Sequence, residues 1–189
     1  MKSKYIFTSE RLGFRNWMSQ DLNELEIMNS DIAVMEHFPK TLTKEENQDL
    51  FERLKLQYKK HKYTYFATEI RATNEFIGFI GLAYQEYETE YTPAVDIGWR
   101  LKKSAWSKGY ATEGAKKCLE YGFSVLNLDE IIATCTIQNL KSERVMRKIG
   151  MKKVGEFIHP KLTEYPKHKE CICYRINKKE WKGLNLQRT

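Results

Sequence analysis

Hydrophobic and polar positions alternate in some parts of the chain and recur every three or four residues in others. Residues 10–17 have the alternation of a first strand, and Ser19 then precedes apolar positions with helical spacing, which predicts that it caps a helix. Thr43 and Glu46 have the spacing of a capping box, which predicts a second helix that continues to about residue 61.

The middle of the chain favours β-structure. Two aromatic and β-branched segments, residues 63–70 and 76–84, flank a turn-like sequence and predict a hairpin. Residues 85–93 are predicted to form a loop. Residues 94–101 alternate again and predict a strand in which Asp96 lies on the face opposite the apolar side chains.

The second half combines helices and strands. Its pattern predicts helices over residues 109–127 and 139–149, a buried strand over residues 130–137, and closing strands over residues 151–157 and 170–177. This order predicts an α/β fold, with a single mixed, mostly antiparallel twisted sheet of about seven strands flanked by helices on both faces.

The length of 189 residues suits one domain, which we predict over residues 5–178, with a C-terminal tail at residues 179–189. No apolar stretch has the length of a secretory or membrane-spanning segment, so we expect a cytoplasmic protein with no membrane partner. The four cysteines and four histidines lack metal-ligand spacing, and we expect buried reduced thiols and no metal.

The formal net charge of +7 suits a polyanionic partner, for which nucleic acid, an anionic membrane and a phosphate-rich cofactor are the candidates. The basic residues are spread along the whole chain and form no block, which weakens the nucleic-acid interpretation.

The segment between the strand at residues 94–101 and the next helix contains Gly109. A glycine there lets the backbone approach a ligand closely, and the unpaired amides at a helix start attract anions. A phosphate site and an ordinary strand-to-helix turn both fit this segment on its own.

Four short pieces of sequence, taken together and in order, resemble the GNAT superfamily of N-acetyltransferases, and in particular the ribosomal-protein alanine N-acetyltransferases. The pieces are Val95–Leu101, Trp106–Glu113, Asn139 with Ser142, and Ile149–Met151. One position departs from the superfamily pattern, since Trp106 stands where Gln or Arg is usual.

The resemblance implies transfer of an acetyl group from acetyl-CoA to a primary amine, either a protein N-terminus or a small molecule. It implies that backbone amides of the Gly109 segment hold the pyrophosphate and that the preceding strand lines the pantetheine arm. The cofactor-binding residues expected from it are Trp99, Leu101, Ser107, Lys108, Gly109, Tyr110, Ala111, Thr112, Asn139 and Ser142.

Two catalytic residues are also implied. Asp96 matches the strand carboxylate that accepts a proton from the amine, and Ser142 matches a proton donor to the CoA sulfur. Pairing of Asp96 with Arg100, and a purely structural role for Ser142 at a helix start, are the alternatives. A residue of the loop at 159–170 is an alternative general base.

Other functions stay open at this stage. The same cradle without a working base would make a catalytically silent acyl-CoA sensor, and the charge leaves a nucleic-acid-binding module as a weaker alternative. A homodimer is compatible with the sequence. The glutamates Glu86, Glu88 and Glu90 fit either a solvated hairpin tip or a device that concentrates a cationic acceptor.

Overall fold

Eight strands form one sheet in this computed structural model, which describes residues 3–186. The strands are β1 (Phe7–Thr8), β2 (Leu12–Arg15), β3 (Tyr65–Ile70), β4 (Glu75–Thr89), β5 (Thr92–Leu101), β6 (Glu130–Thr136), β7 (Lys152–Ile158) and β8 (Glu170–Asn177). The α-helices of the described residues are α1 (Asp21–Ser30), α2 (Lys44–His61), α3 (Tyr110–Glu120), α4 (Leu140–Lys148) and α5 (Lys178–Leu186).

The strand order is β1-β2-β3-β4-β5-β6-β8-β7, and every neighbouring pair is antiparallel except β5 and β6. The predicted mixed, mostly antiparallel sheet is therefore confirmed. The strand beyond the predicted seven is β1, whose two residues are too few to show an alternating pattern.

Helices cover both faces of the sheet, as predicted. Successive residues of a strand point to opposite faces, and Ala67 accordingly packs in a cluster with α1 and α2, whereas Phe66 packs in a cluster with α3. We call these the α1–α2 face and the α3 face. Gly81 of β4 pairs with Tyr65 on one side and with Gly98 on the other, so these three residues share a face. Asp96 is two residues from Gly98, and its side chain is therefore on the α1–α2 face with Tyr65.

The helix starts differ in how well the sequence predicted them. Thr43 forms the predicted capping box with Glu46. The predicted cap at Ser19 is wrong, because α1 begins at Asp21 and its N-cap, Gln20, makes no side-chain cap bond. The Asp21 carboxylate instead accepts a 2.7 Å hydrogen bond from the Met18 amide, which fixes the turn before the helix.

The predicted loop at residues 85–93 is also wrong, because β4 continues to Thr89 and β5 begins at Thr92. Alternating glutamates obscured this strand: Glu86 and Glu88 are exposed, whereas Tyr87 between them is half-buried. Tyr87 lies close enough to Asp96 and Thr134 for both to influence its pKa, which burial raises to about 12. The two glutamates therefore point away from the Asp96 face, which favours a solvated hairpin.

The C-terminal segment contains α5, in which Trp181 packs on Phe123 with ring centroids 5.4 Å apart. The domain boundary predicted at residue 178 stays a prediction, and residues 187–189 of the predicted tail lie outside the described residues. Within residues 3–186 there is no helix with the length and apolarity to cross a membrane, and no cluster of three metal-ligating side chains. The four cysteines are free; three of them are buried, whereas Cys135 is partly exposed.

Candidate active site

The single parallel strand pair determines where the site lies. The register between β5 and β6 contains one residue pair, Asp96 with Ile132. Beyond it, in the part of the chain that the structure describes, the two strands continue to Leu101 and Thr136 without pairing with each other. We call this opening the β5–β6 gap. Unpaired backbone groups along a strand edge can bind a ligand that carries amide groups.

The gap is bordered by the starts of α3 and α4, because parallel strands end at the same edge of a sheet. β5 leads into α3, and β6 leads into α4. The two starts are in contact, since the ammonium group of Lys141 lies 4.7 Å from the centre of the Trp106 ring. The predicted cradle and the predicted α4 residues are therefore brought together.

Gly109 is the N-cap of α3 and has a φ of 81°, in the left-handed region that favours glycine. A Cβ built at this position would have the Nη2 atom of Arg11, at 3.4 Å, as its neighbour within 4 Å. No side chain of the described residues caps the helix, so the amides of Tyr110, Ala111 and Thr112 remain free for an anion. This open, amide-lined turn fits a pyrophosphate group.

Trp106, the position that departs from the superfamily pattern, makes a structural contact. Its indole Nε1 donates a 2.8 Å hydrogen bond to the Leu101 carbonyl oxygen, which ties the turn back to the end of β5. Ser107, with a φ of 60°, and Lys108 are exposed beside Gly109, as backbone contacts to a ligand require.

Arg11 is a cradle residue that the sequence analysis missed. Its Nε donates a 2.7 Å hydrogen bond to Glu113, and its guanidinium lies 4.6 Å from the centre of the Tyr110 ring. Ser9 also donates to Glu113, at 2.7 Å, so the first turn of α3 is anchored to the turn between β1 and β2. Arg11 thereby places a positive charge next to Gly109.

Asp96 is buried, with 7% of its surface exposed, at the closed end of the gap. The Tyr65 hydroxyl lies 2.7 and 2.8 Å from its two carboxylate oxygens, and Gln85 donates to the Tyr65 oxygen at 3.2 Å. Burial raises the pKa of Asp96 to about 6, although the hydrogen bond from Tyr65 opposes the shift. The carboxylate is thus ionised at neutral pH and is a stronger base than an ordinary aspartate.

The alternative in which Asp96 pairs with Arg100 does not hold. Arg100 Nη1 instead donates a 2.7 Å hydrogen bond to Asn29 of α1, and its guanidinium stacks 4.0 Å from the centre of the Phe38 ring.

Tyr65 is a second residue that the sequence analysis missed. Burial, reinforced by the Asp96 charge, raises its pKa well above the usual value, so its hydroxyl remains a donor. A Cβ at Gly98 would lie 3.0 Å from the Tyr65 ring, so the glycine makes room for the aromatic side chain. A glycine inside a strand is the sequence signal that could have indicated a close approach at this point.

Asn139 and Ser142 are adjacent at the start of α4. The Asn139 side chain caps the helix by accepting a 3.0 Å hydrogen bond from the Ser142 amide. The Ser142 hydroxyl is half-buried and makes no hydrogen bond within residues 3–186, so it is free for a ligand. The side chains of Trp99 and Leu101 pack in the α3-face core, which leaves their backbone groups at the gap.

The loop after β7, in which the alternative general base was expected, begins at His159. The His159 ring lies 4.5 Å from the Tyr87 ring, and its Nδ1 accepts a hydrogen bond from the Lys161 amide.

Sequence comparison places this geometry in a known family. A family profile described as an acetyltransferase (GNAT) domain matches residues 11–152, which include Asp96, the cradle and Ser142. The uncharacterized N-acetyltransferase YnaD of Bacillus subtilis is 36% identical over 150 residues, which are 79% of this chain and 84% of YnaD.

Solved structures agree with the sequence comparison. The crystal structure of a GNAT-family acetyltransferase from Bacillus anthracis superposes with a TM-score of 0.73 at 30% identity, covering 91% of this chain and 98% of that one. A spermidine N-acetyltransferase from Vibrio cholerae, solved with CoA and spermine, has a TM-score of 0.70 at 18% identity, with 91% and 98% coverage, and shares the fold. The chain belongs to the GNAT family of acetyltransferases and is an acetyl-CoA-dependent N-acetyltransferase.

Proposed function

We propose that this enzyme acetylates a primary amine by direct attack on the thioester of acetyl-CoA, with Asp96 as the general base. The observation that carries the proposal is a buried carboxylate with a pKa of about 6 at the closed end of the β5–β6 gap. A base with a pKa near the working pH is both ionised and able to accept a proton.

Tyr65 positions the base in this mechanism. A protonated amine on the α1–α2 face gives one proton to the Asp96 carboxylate, and the neutral nitrogen becomes the nucleophile. Because the Tyr65 hydroxyl lies within hydrogen-bond distance of both carboxylate oxygens and donates its one proton between them, it holds the side chain in one orientation and favours its ionised form.

Acetyl-CoA supplies the acetyl group activated as a thioester. The amides of residues 107–112 would hold its pyrophosphate, and the β5 backbone at Trp99 and Leu101 would pair with its amide-bearing arm. Asn139 keeps the start of α4 in place. The Ser142 hydroxyl would protonate the departing sulfur as the carbon–sulfur bond breaks, and the second proton lost by the nitrogen on forming the amide would restore the hydroxyl.

The acceptor is a primary amine of one of two kinds. The resemblance to the ribosomal-protein alanine N-acetyltransferases supports a protein N-terminus, whereas the spermine bound to the Vibrio cholerae enzyme supports a small polyamine. Both kinds carry the protonated nitrogen that Asp96 requires.

The test is release of the CoA thiol with a panel of peptides, polyamines and other small amines, using wild type and Asp96→Asn. Wild type should turn over at least one amine, and the variant should lose roughly 100- to 10,000-fold in kcat. Acetyl-CoA affinity should not change, and the variant should be no less stable at neutral pH because it removes a buried charge.

Two outcomes would contradict the proposal. Full activity of Asp96→Asn would exclude Asp96 as the base. Tight acetyl-CoA binding without turnover of any amine would instead support a catalytically silent sensor.

A further inference from the structure

Two buried polar atoms without a hydrogen-bond partner flank the β5–β6 gap. Within residues 3–186, the Nε of Arg100 and the hydroxyl of Thr136 are among four buried side-chain atoms that have none. Arg100 lies four residues after Asp96, and Thr136 lies four residues after Ile132, with which Asp96 is paired. Both side chains are therefore on the same sheet face as Asp96. The two residues therefore lie at the same level on the two strands that border the gap.

Arg100 also lacks a carboxylate partner among the described residues. Arg15, which is buried on the same sheet face, pairs with Asp21 and Glu69 at 2.6 Å each. Arg100 is half-buried, with its Nε fully buried, and has no such pair within residues 3–186. Arg100 has only the Asn29 amide oxygen and the faces of Phe38 and Phe79. Burial lowers its pKa to about 10, so it stays charged at neutral pH.

The carboxylates of this region offer little to a polycation. The buried carboxylates of the described residues are Asp21, Glu69 and Asp96, and Arg15 neutralises the first two. Glu86 and Glu88 point away from the Asp96 face. Asp96 is thus the buried carboxylate left for the amine, and Arg100 is a guanidinium without a carboxylate partner among the described residues.

We propose that Arg100 and Thr136 form a subsite for an anionic group of the acceptor, which is therefore an amine that carries a carboxylate several bonds from its nitrogen. This inference rests on the proposed function, since it assumes that the amine lies at Asp96. Four residues along a strand separate the Asp96 and Arg100 Cα atoms by about 13 Å. The nitrogen and carboxylate of an α-amino acid are much closer together than these two Cα atoms, whereas in a peptide with an acidic second or third residue their separation is of a similar order.

The test compares matched tripeptide amides that differ by one charge, alanyl-glutamyl-alanine amide and alanyl-glutaminyl-alanine amide, together with a second pair whose Glu or Gln is at the third position. Wild type should show a higher kcat/KM for a Glu peptide than for its Gln partner. Arg100→Gln keeps a hydrogen-bonding side chain but loses the charge, and should raise KM for the Glu peptide by roughly 10- to 100-fold. Its KM for the Gln peptide and for acetyl-CoA should not change.

Two further variants sharpen the result. Thr136→Val should reduce the preference for the Glu peptide in the same direction and by a smaller factor. Arg53→Gln is the matched control, because Arg53 is exposed on α2 and near enough to influence the Arg100 pKa. It should leave the preference unchanged, which would show that direct contact matters and that general positive charge does not.

The outcomes separate the subsite from the proposed function. Equal use of Glu and Gln peptides by wild type, or equal losses on both in Arg100→Gln, would overturn the subsite while acetyl transfer stands. A fall in thermal stability that accompanies equal losses would identify Arg100 as a structural link between β5 and α1. Failure to acetylate any amine would instead overturn the proposed function.

Discussion

Burial and hydrogen bonding have opposite effects on the pKa of Asp96. Burial raises it, and hydrogen bonds from Tyr65, Gln85 and the Ala83 backbone lower it by favouring the ionised form. The balance leaves the carboxylate half-titrated near pH 6. If Asp96 is the general base, this balance determines where activity is lost on the acidic side of the pH profile.

We predict that Tyr65→Phe moves the acidic limb of kcat/KM to higher pH. Losing a hydrogen bond to a charged group destabilises the carboxylate, so the Asp96 pKa should rise by about one unit. The measurement is kcat/KM between about pH 5 and 9, with an amine that can saturate the enzyme. Tyr58→Phe is the control, since its ring packs against Phe66 on the opposite sheet face. A limb that stays in place would show that Tyr65 does not act on the base.

The residues of the site differ in how far the sequence could predict them. Asp96 and Ser142 are in motif pieces that the resemblance identifies, so both were named. Tyr65 and Arg11 act through contacts 31 and 102 residues away along the chain, and no local pattern contains that information. Strand register brings Tyr65 to Asp96, and the anchoring of the β1–β2 turn on α3 brings Arg11 to Gly109.

At the scale of elements, the start of α3 makes the clearest prediction. Gly109→Glu should abolish acetyl-CoA binding while the domain stays folded, because a side chain and a negative charge would occupy the place of the pyrophosphate. Binding is measured by calorimetry, and folding by circular dichroism.

Two control variants separate the causes. Gly109→Ala places a side chain at the same unfavourable positive φ, which costs about 1 kcal/mol, but adds no charge. It should therefore bind acetyl-CoA more tightly than Gly109→Glu does. Gly183→Glu adds the same charge where a Cβ would have no neighbour within 4 Å, and should bind like wild type. Retained binding in Gly109→Glu would place the anion elsewhere.

Elements with strong local signals were predicted well. The capping box defines the start of α2, and β8 has the predicted bounds of residues 170–177. The error at residues 85–93 arose because a sequence with several exposed glutamates resembles that of a loop when its pairing with β5 is not known. Pairing with β5 decides the structure there, and a single-strand pattern does not reveal it.

At the scale of the whole molecule, function depends on a sheet that is paired up to Asp96 and open beyond it. A helical crossover between parallel strands was predictable from the order of elements. The length of the paired region was not, because β6 is also held by β8 on its other side. The Gly109 turn and the start of α4 come together because β5 and β6 end at the same open edge.

Because this arrangement belongs to the folded state, acetyl-CoA should stabilise the protein against thermal unfolding. A ligand that binds only the native state and is present at 100 times its Kd adds about 2.7 kcal/mol to the free energy of unfolding. For a chain of this size that corresponds to a rise in Tm of roughly 5 to 10 °C. Melting curves recorded by circular dichroism should show Tm increasing with the logarithm of acetyl-CoA concentration, and Gly109→Glu should show no increase. A wild-type Tm that stays constant up to millimolar acetyl-CoA would mean that the amide-lined turn and the β5–β6 gap do not form the binding site.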